Sequence, residues 1–461
     1  MEHLLVKACM VAVVMLVAGL PAPWRGVQAA DGPIGVVTRG QPDVVLPRSP
    51  TDNLPVRYGL GFPVQVGPNT AALLCNLRVV GQGRTDFEDG TDAFVFADLR
   101  AVGQGGPTPI CRNEREQDAQ TGEARFIVKY PAAVGFWPLG AKQPDGSSHP
   151  GAGTGFALCR ALSFVGRGGK LTWDMFSQPS MRGYLEVVQL AFDGRQVSVV
   201  KRDLIRTGRV WATPDGWAIM AGGLHSAIPD GSDLLLAVEA QKDGVGRTGV
   251  GRFRFAAGQW QPVIFTPVAG GGEPSLVQRA DGSLIFLTRP SEDMGAEATR
   301  SIMLWASPDS GAAWQEILRV PNVRPSTPVS VNATPDGRVF VLANVPGMTN
   351  PTRTVSWWHL DRTRLALWQL AEGAPKLDPP QVIRDCQEEF GAPPLGFMWY
   401  VDHPVSAIVR LGDGRWRGLL AYRVMAFSVQ GDPVGELLTP QTGCYVEEVP
   451  CSEPARPPWR F

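Results

Sequence analysis

Short apolar runs separated by turns of glycine, proline and aspartate recur along most of the chain after Tyr58. Runs of this length bounded by turn residues read as β-strands, and an Asp-Gly pair between two of them reads as a hairpin. Strands are expected at Phe62–Val66, Leu73–Val80, Ala93–Leu99 and Ala124–Tyr130, and a hairpin joins Tyr184–Phe192 to Gln196–Lys201 around Asp193-Gly194. Arg112–Thr121 is polar and charged and reads as a solvated loop or short helix; Lys142–Thr154 reads as a loop. Further on a unit repeats: ATPDGWAIMAGG (212–223), RADGSLIFLTR (279–289), ATPDGRVFVLAN (333–344) and LGDGRWRGLLAYR (411–423). The turn glycines 216, 282, 337 and 414 recur at roughly 55–75 residues, in the range of large propeller blades with inserted loops. Four such units, with about two more from residues 58–200, predict an all-β chain folded as a six-bladed β-propeller. The alternative arrangement is a small β domain ahead of an incomplete propeller.

Composition agrees with this pattern. The 461 residues are 44% hydrophobic, enough for a large core, and 53 glycines and 41 prolines are many for a helical protein. A formal net charge of −1, with no Lys/Arg-rich block, gives nucleic acid no electrostatic footprint. At the amino end Lys7 precedes the apolar run Ala8–Leu20, with small residues near Ala29 and Ala30. That run is too short to span a bilayer and predicts a secretory signal over 1–30 and a secreted, periplasmic or extracellular protein. No later stretch is long and apolar enough to span. A leader over 31–57, a propeller body over 58–440 and a Pro-rich tail over 441–461 follow, with Trp459 and Phe461 expected to pack back on the body. Six cysteines remain after signal removal, and in an exported chain an even number permits disulfides, Cys444 with Cys451 first and Cys75 with Cys111 second.

One stretch carries more than pattern. Gly272–Arg289 forms a hairpin about Ala280-Asp281-Gly282, and one strand later comes Ser307-Pro-Asp309-Ser-Gly311-Ala-Ala-Trp314. Ser307 and Asp309 suit the amides of a turn, Gly311 permits positive φ, and Trp314 can pack beneath. This Ser-x-Asp-x-Gly-x-x-Trp pattern resembles the Asp-box of the sialidase (neuraminidase) superfamily, whose boxes join outer strands of propeller blades. Gly168–Trp173 resembles a degenerate box without its aspartate.

The resemblance implies a site. Arg206, Arg289 and Arg353 hold the strand positions of the family's three arginines, which grip a sugar carboxylate with paired, charge-assisted bonds. Glu273 matches the family's catalytic glutamate, expected to act as base and to oppose oxocarbenium charge. Where the family carries its nucleophilic Tyr-Ser, this chain has Val405-Ser406, and a valine cannot attack. Tyr400, Asp402 and His403 stand nearby, with Tyr400 the first candidate nucleophile if the chain bulges to present one of them; Tyr422 sits mid-strand, where the family has a packing tyrosine. The loop that would supply an acid/base aspartate offers Asp230, Asp233 and His225. The implied function is exo-hydrolysis of a terminal acidic sugar by a monomer that needs no cofactor and no metal. Losing the tyrosine also suits a propeller that binds glycans or proteins without hydrolysing them, and a related enzyme with another acid/base pair is a third reading. No Gly-x-Ser-x-Gly, HExxH or Walker motif is present. Asp86, Glu88, Asp89 and Asp92 form a carboxylate-rich turn without EF-hand spacing.

Overall fold

The expected strands form, and most are buried on both faces: every residue of Ser301–Ser307 and of Val339–Asn344 is buried. A sheet with two apolar faces must be covered on both, and here each sheet is covered by the next around a closed ring. The computed structural model describes residues 44–45, 56–79, 90–102, 106–112, 114–117, 124–167, 170–173, 185–205, 211–225, 227–290, 301–321, 328–344, 362–371, 376–428, 436–437, 439–449 and 458–461. Among these lie six antiparallel sheets, the blades of a six-bladed propeller.

Blade I runs outward from Val56–Gly67 through Thr70–Val79 and Gly90–Phe96 to Thr108–Arg112. Blade II runs from Ala124–Trp137 through Thr154–Arg167 and Leu185–Phe192 to Val197–Ile205. Blade III has a broken inner strand, Ala218–Gly222 and Ile228–Asp230, both paired to Asp233–Lys242, then Val245–Ala256 and Gln259–Ala269. Blade IV is Gly272–Gln278, Leu284–Arg289, Ser301–Ser307 and Gln315–Pro321. Blade V is Ser330–Ala333, Val339–Asn344, Arg364–Gln369 and Gln381–Asp385. Blade VI is Phe397–Arg410, Trp416–Ser428 and Gly443–Val449, edged by Val44–Val45. The inner strand of blade I packs on those of blades II and VI, so the ring closes.

The Asp-box forms as a tight turn between the third and fourth strands of blade IV. Ser307 Oγ donates to Asp309 Oδ1 (2.7 Å), Gly311 N donates to Ser307 Oγ (2.9 Å), and Trp314 Nε1 donates to Gly311 O (3.1 Å). Of the second box, Lys170–Trp173 pairs as a strand with Thr154–Arg167, and Gly168-Gly169 lies outside the described residues. Three of the four repeated Asp-Gly turns join an inner strand to its neighbour, at Gly282, Gly337 and Gly414. The fourth, Asp215-Gly216, closes only a small turn ahead of blade III, whose inner hairpin turns at Asp230-Gly231 instead. Glu114–Gln117, expected as loop or helix, pairs with Ala124–Ile127.

The ends of the body also differ from expectation. Val44–Val45 of the leader pairs with Tyr445 and Val446, and Gly443–Val449 of the tail is the third strand of blade VI. Beyond it, Trp459 is buried with its ring edge-on to Trp137 (5.3 Å), and Lys142 N donates to Arg460 O (2.8 Å). Cys444 lies against Cys75 and Cys111 against Cys159, which overturns the pairing of Cys75 with Cys111. Cys451 is outside the described residues. None of the described helices is long and apolar enough to cross a membrane.

Candidate active site

Two prolines interrupt inner strands near one end of the propeller axis, and the site is built around the residues that precede them. Proline cannot donate to a strand ladder, so it sits where pairing slips. In blade IV the register shifts between Gly272 and Ser275, around Glu273-Pro274; in blade VI it shifts between Asp402 and Val405, around His403-Pro404. Glu273 has φ of 48° and His403 of 52°, left-handed values that side chains with a Cβ adopt at a cost. The other described non-glycine residues with positive φ, Asp243, Ala257 and Ser310, each precede a glycine in a turn. Only at Glu273 and His403, among the described residues, does this strain fall on a bulge that re-aims a side chain.

Arg289 ends the second strand of blade IV directly opposite Gly272, and its Nη1 donates to Glu273 Oε2 (2.8 Å). The Glu273 amide donates to Glu239 Oε1 of blade III (2.9 Å), whose other oxygen lies 3.7 Å from Arg160 Nη2 of blade II. Burial pushes the Glu273 carboxyl up, but the charges of Arg289, His403 and Arg160 outweigh this and hold its pKa at about 2. Glu273 and Arg289 both stay open to solvent, with side chains 23% and 33% exposed.

Asp402 sits behind His403 and is wholly buried. Arg423 grips it with two bonds, Nε to Oδ1 (2.8 Å) and Nη2 to Oδ2 (3.0 Å), and Arg362 Nη1 donates to Oδ2 (2.7 Å). His403 Nδ1 lies 3.0 Å from Asp402 Oδ1. Burial works against this carboxylate, yet Arg423, then His403 and Arg362, hold its pKa well below the usual range. Arg423 Nη2 also lies 3.3 Å from Nδ1, so Asp402 and Arg423 together set the ring orientation, with Nε2 on its other side. Glu273, ionised at any ordinary pH, cannot be a general acid but can stabilise developing positive charge.

The remaining predicted residues fall as follows. Arg206 and Arg353 lie outside the described residues. Tyr400 is 1% exposed, with its ring stacked on Phe427 (5.2 Å) and Arg362 5.7 Å from its centroid. Its face of the strand, shared with Met398, is core, so the bulge presents His403 and not Tyr400. Tyr422 is buried mid-strand, bonded to Arg384 (2.9 Å) and to Glu447. Asp230 is not brought to the site: its Pro-Asp-Gly sequence makes the blade III turn at the far end of the axis, ion-paired to Arg252 (2.5 Å). Asp233 pairs with Arg254 (2.7 Å), and buried His225 accepts from Ala237 N (2.7 Å). Val405 is buried, as a core residue should be. Asp92 is held by Arg112 (2.6 Å) and Tyr58 (2.9 Å), while Asp86, Glu88 and Asp89 lie outside the described residues.

Sequence reasoning missed Arg160, Glu239, Arg362 and Arg423. For three of them a signal was present: a lone charge inside an apolar strand, as in ALCRALSF, LLLAVEAQ and LLAYRVMAF, must find a partner. A cavity of about 240 Å³ also lies on the axis at the opposite end, lined by Gln65, His225, Leu276, Asn332, Ser406 and Trp459. Its polar groups are engaged: Ser406 donates to Asn332, and Gln65 Nε2 donates away from the cavity to the backbone oxygens of Thr70 (3.0 Å) and Arg410 (2.9 Å).

The lowered pKa of Glu273 predicts an acid limit to stability. Its folded value lies below the ordinary 4.5, so the contribution is complete above about pH 4.5 and is lost as pH falls toward 2. The full shift corresponds to something on the order of 3 kcal/mol, less whatever solvent screening removes. Thermal unfolding followed from pH 6 to 2 should show wild type losing stability faster than Glu273→Gln; parallel curves would contradict this.

No protein-family model matches the chain, and no curated protein matches it in sequence. Some solved structures are similar to it. A protein of unknown function from Dyadobacter fermentans is similar at 12% identity over 87% of this chain and 95% of that one, with a TM-score of 0.48. A mutant NanB sialidase from Streptococcus pneumoniae is similar at 10% identity over 89% of this chain and 70% of that one (TM-score 0.44). A Hadza microbial sialidase is similar at 14% identity over 85% of this chain and 66% of that one (TM-score 0.47).

Proposed function

We propose that the protein is an exported glycoside hydrolase that cleaves a terminal acidic sugar at the mouth of the propeller. The observation that carries the proposal is the pair of strained bulges: Glu273 and His403 are both turned out of their strands, one ionised beside Arg289 and one backed by Asp402. Strain of this kind persists where surrounding structure over-determines it, and it is concentrated at working sites. In this reading Arg289, with Arg206 and Arg353 as the resemblance implies, grips the sugar carboxylate. Glu273 opposes the positive charge that grows on the anomeric carbon. His403, oriented by Asp402, gives a proton to the leaving oxygen, and a water adds to the anomeric carbon and returns its proton to His403. Tyr400 is not the nucleophile here, because its ring is packed in the core.

A propeller that binds acidic glycans without cleaving them is the second reading. Tyr58, Tyr400, Tyr422 and Tyr445 are all buried, so none of the described tyrosine side chains is offered to a substrate. A panel of fluorogenic sialosides and uronides separates the two. Hydrolysis is expected for wild type, falling about a hundredfold or more in kcat for Glu273→Gln and for His403→Ala. Saturable binding of sialylated glycans with no turnover would establish the binding reading. Neither turnover nor binding would end the acidic-sugar proposal altogether.

A further inference from the structure

Four of the five described cysteines meet in two buried pairs, and each pair spans a seam between blades. Cys75 in the second strand of blade I faces Cys444 in the third strand of blade VI, with Sγ atoms 4.0 Å apart. Cys111 in the outer strand of blade I faces Cys159 in the second strand of blade II, with Sγ atoms 3.8 Å apart. We infer that these pairs are sites of oxidative cross-linking, giving disulfides Cys75–Cys444 and Cys111–Cys159 that staple the first blade to both its neighbours.

The surrounding strands are fitted to the approach of the sulfurs. Gly61 is the register partner of Cys75, and a Cβ there would come within 2.9 Å of Cys444 Sγ. Glycine at 61 therefore leaves the space through which the sulfur of blade VI reaches blade I. In both pairs the sulfurs need to close by about 2 Å to reach bonding distance. Cys386 is buried elsewhere, against blades V and VI, and is left out of either bond.

Each bond forms as two thiols give up two protons and two electrons. The oxidant is a protein disulfide donor of the kind that serves exported chains, itself reduced to a dithiol. Because all four thiols are buried in the folded ring, exchange takes place before the blades close. The inference rests on the export reading for its oxidant, but the pairing itself does not.

Full-length chain is therefore made twice, once exported into an oxidising compartment and once in a reducing cytosol followed by refolding with glutathione disulfide. Non-reducing peptide mapping is expected to find Cys75 joined to Cys444 and Cys111 to Cys159, with four fewer titratable thiols than in the reduced chain. Reduction should lower the Tm of cross-linked protein by about 5 °C or more. Pairs found after refolding but absent from the exported preparation support the inference and count against export. All four cysteines alkylated in both preparations, or linked in other pairs, would overturn it.

Discussion

Replacing Asp402 by alanine is expected to cost about 3–5 kcal/mol of folding free energy and to remove turnover with it. The magnitude follows from what would be left behind. Arg423 is 2% exposed and directs two bonds at the carboxylate, while Arg362, 8% exposed, directs a third. Without Asp402 two guanidinium groups share a buried space that has lost its carboxylate, and removing one partner of a buried ion pair is among the costliest changes a fold can suffer. His403 also loses the acceptor that fixes its ring, so the effect on catalysis should exceed the effect on folding. Urea unfolding and glycoside turnover measured on Asp402→Ala would test both parts. A stability loss under about 1 kcal/mol would mean that water reaches the two arginines and that the cluster is looser than its geometry implies.

Gly223→Ala is expected to be nearly as damaging for a different reason. An added Cβ at 223 would lie 1.8 Å from the carbonyl oxygen of Pro274, 2.8 Å from its carbonyl carbon and 3.0 Å from the Ala237 oxygen. All three are backbone atoms, so no change of rotamer can make room. Blade IV must move away from blade III, breaking the bond from Leu224 N to Pro274 O (2.9 Å). Overpacking of this kind costs about 1–3 kcal/mol. Pro274 follows Glu273, so the displacement is passed to the site, where an error of about 1 Å can lower a rate a hundredfold. Near-wild-type turnover in Gly223→Ala would show that Glu273 is not positioned by this seam.

The fold was legible because its signals are local. An Asp-Gly pair between apolar runs makes a hairpin whatever lies around it, and three of the four repeated turns serve as inner hairpins. Asp215-Gly216 and Asp230-Gly231 carry the same turn chemistry, so sequence could not say which one reverses the inner strand of blade III. Pairing across the whole chain, as between Val45 and Tyr445, leaves no local trace.

At the site, Glu273 and Arg289 could be read from one hairpin because they share it. Tyr400 could not be judged without a register. Residues 398, 400 and 402 fall on one face of a strand, and Met398 on that face already argues for core. His403 escapes the alternation only because the ladder slips before Pro404. Glu-Pro at the start of Gly272–Gln278 and His-Pro midway along Phe397–Arg410 are the shared signature, since proline there forces a break in pairing.

The edge strand Val44–Val45 has a consequence for how the chain is made. It lies alongside Gly443–Val449, so strands about four hundred residues apart in sequence pair with one another. Such a ring can assemble blade by blade but cannot be sealed until Gly443–Val449 has been made, and long-range pairing of this sort is slow.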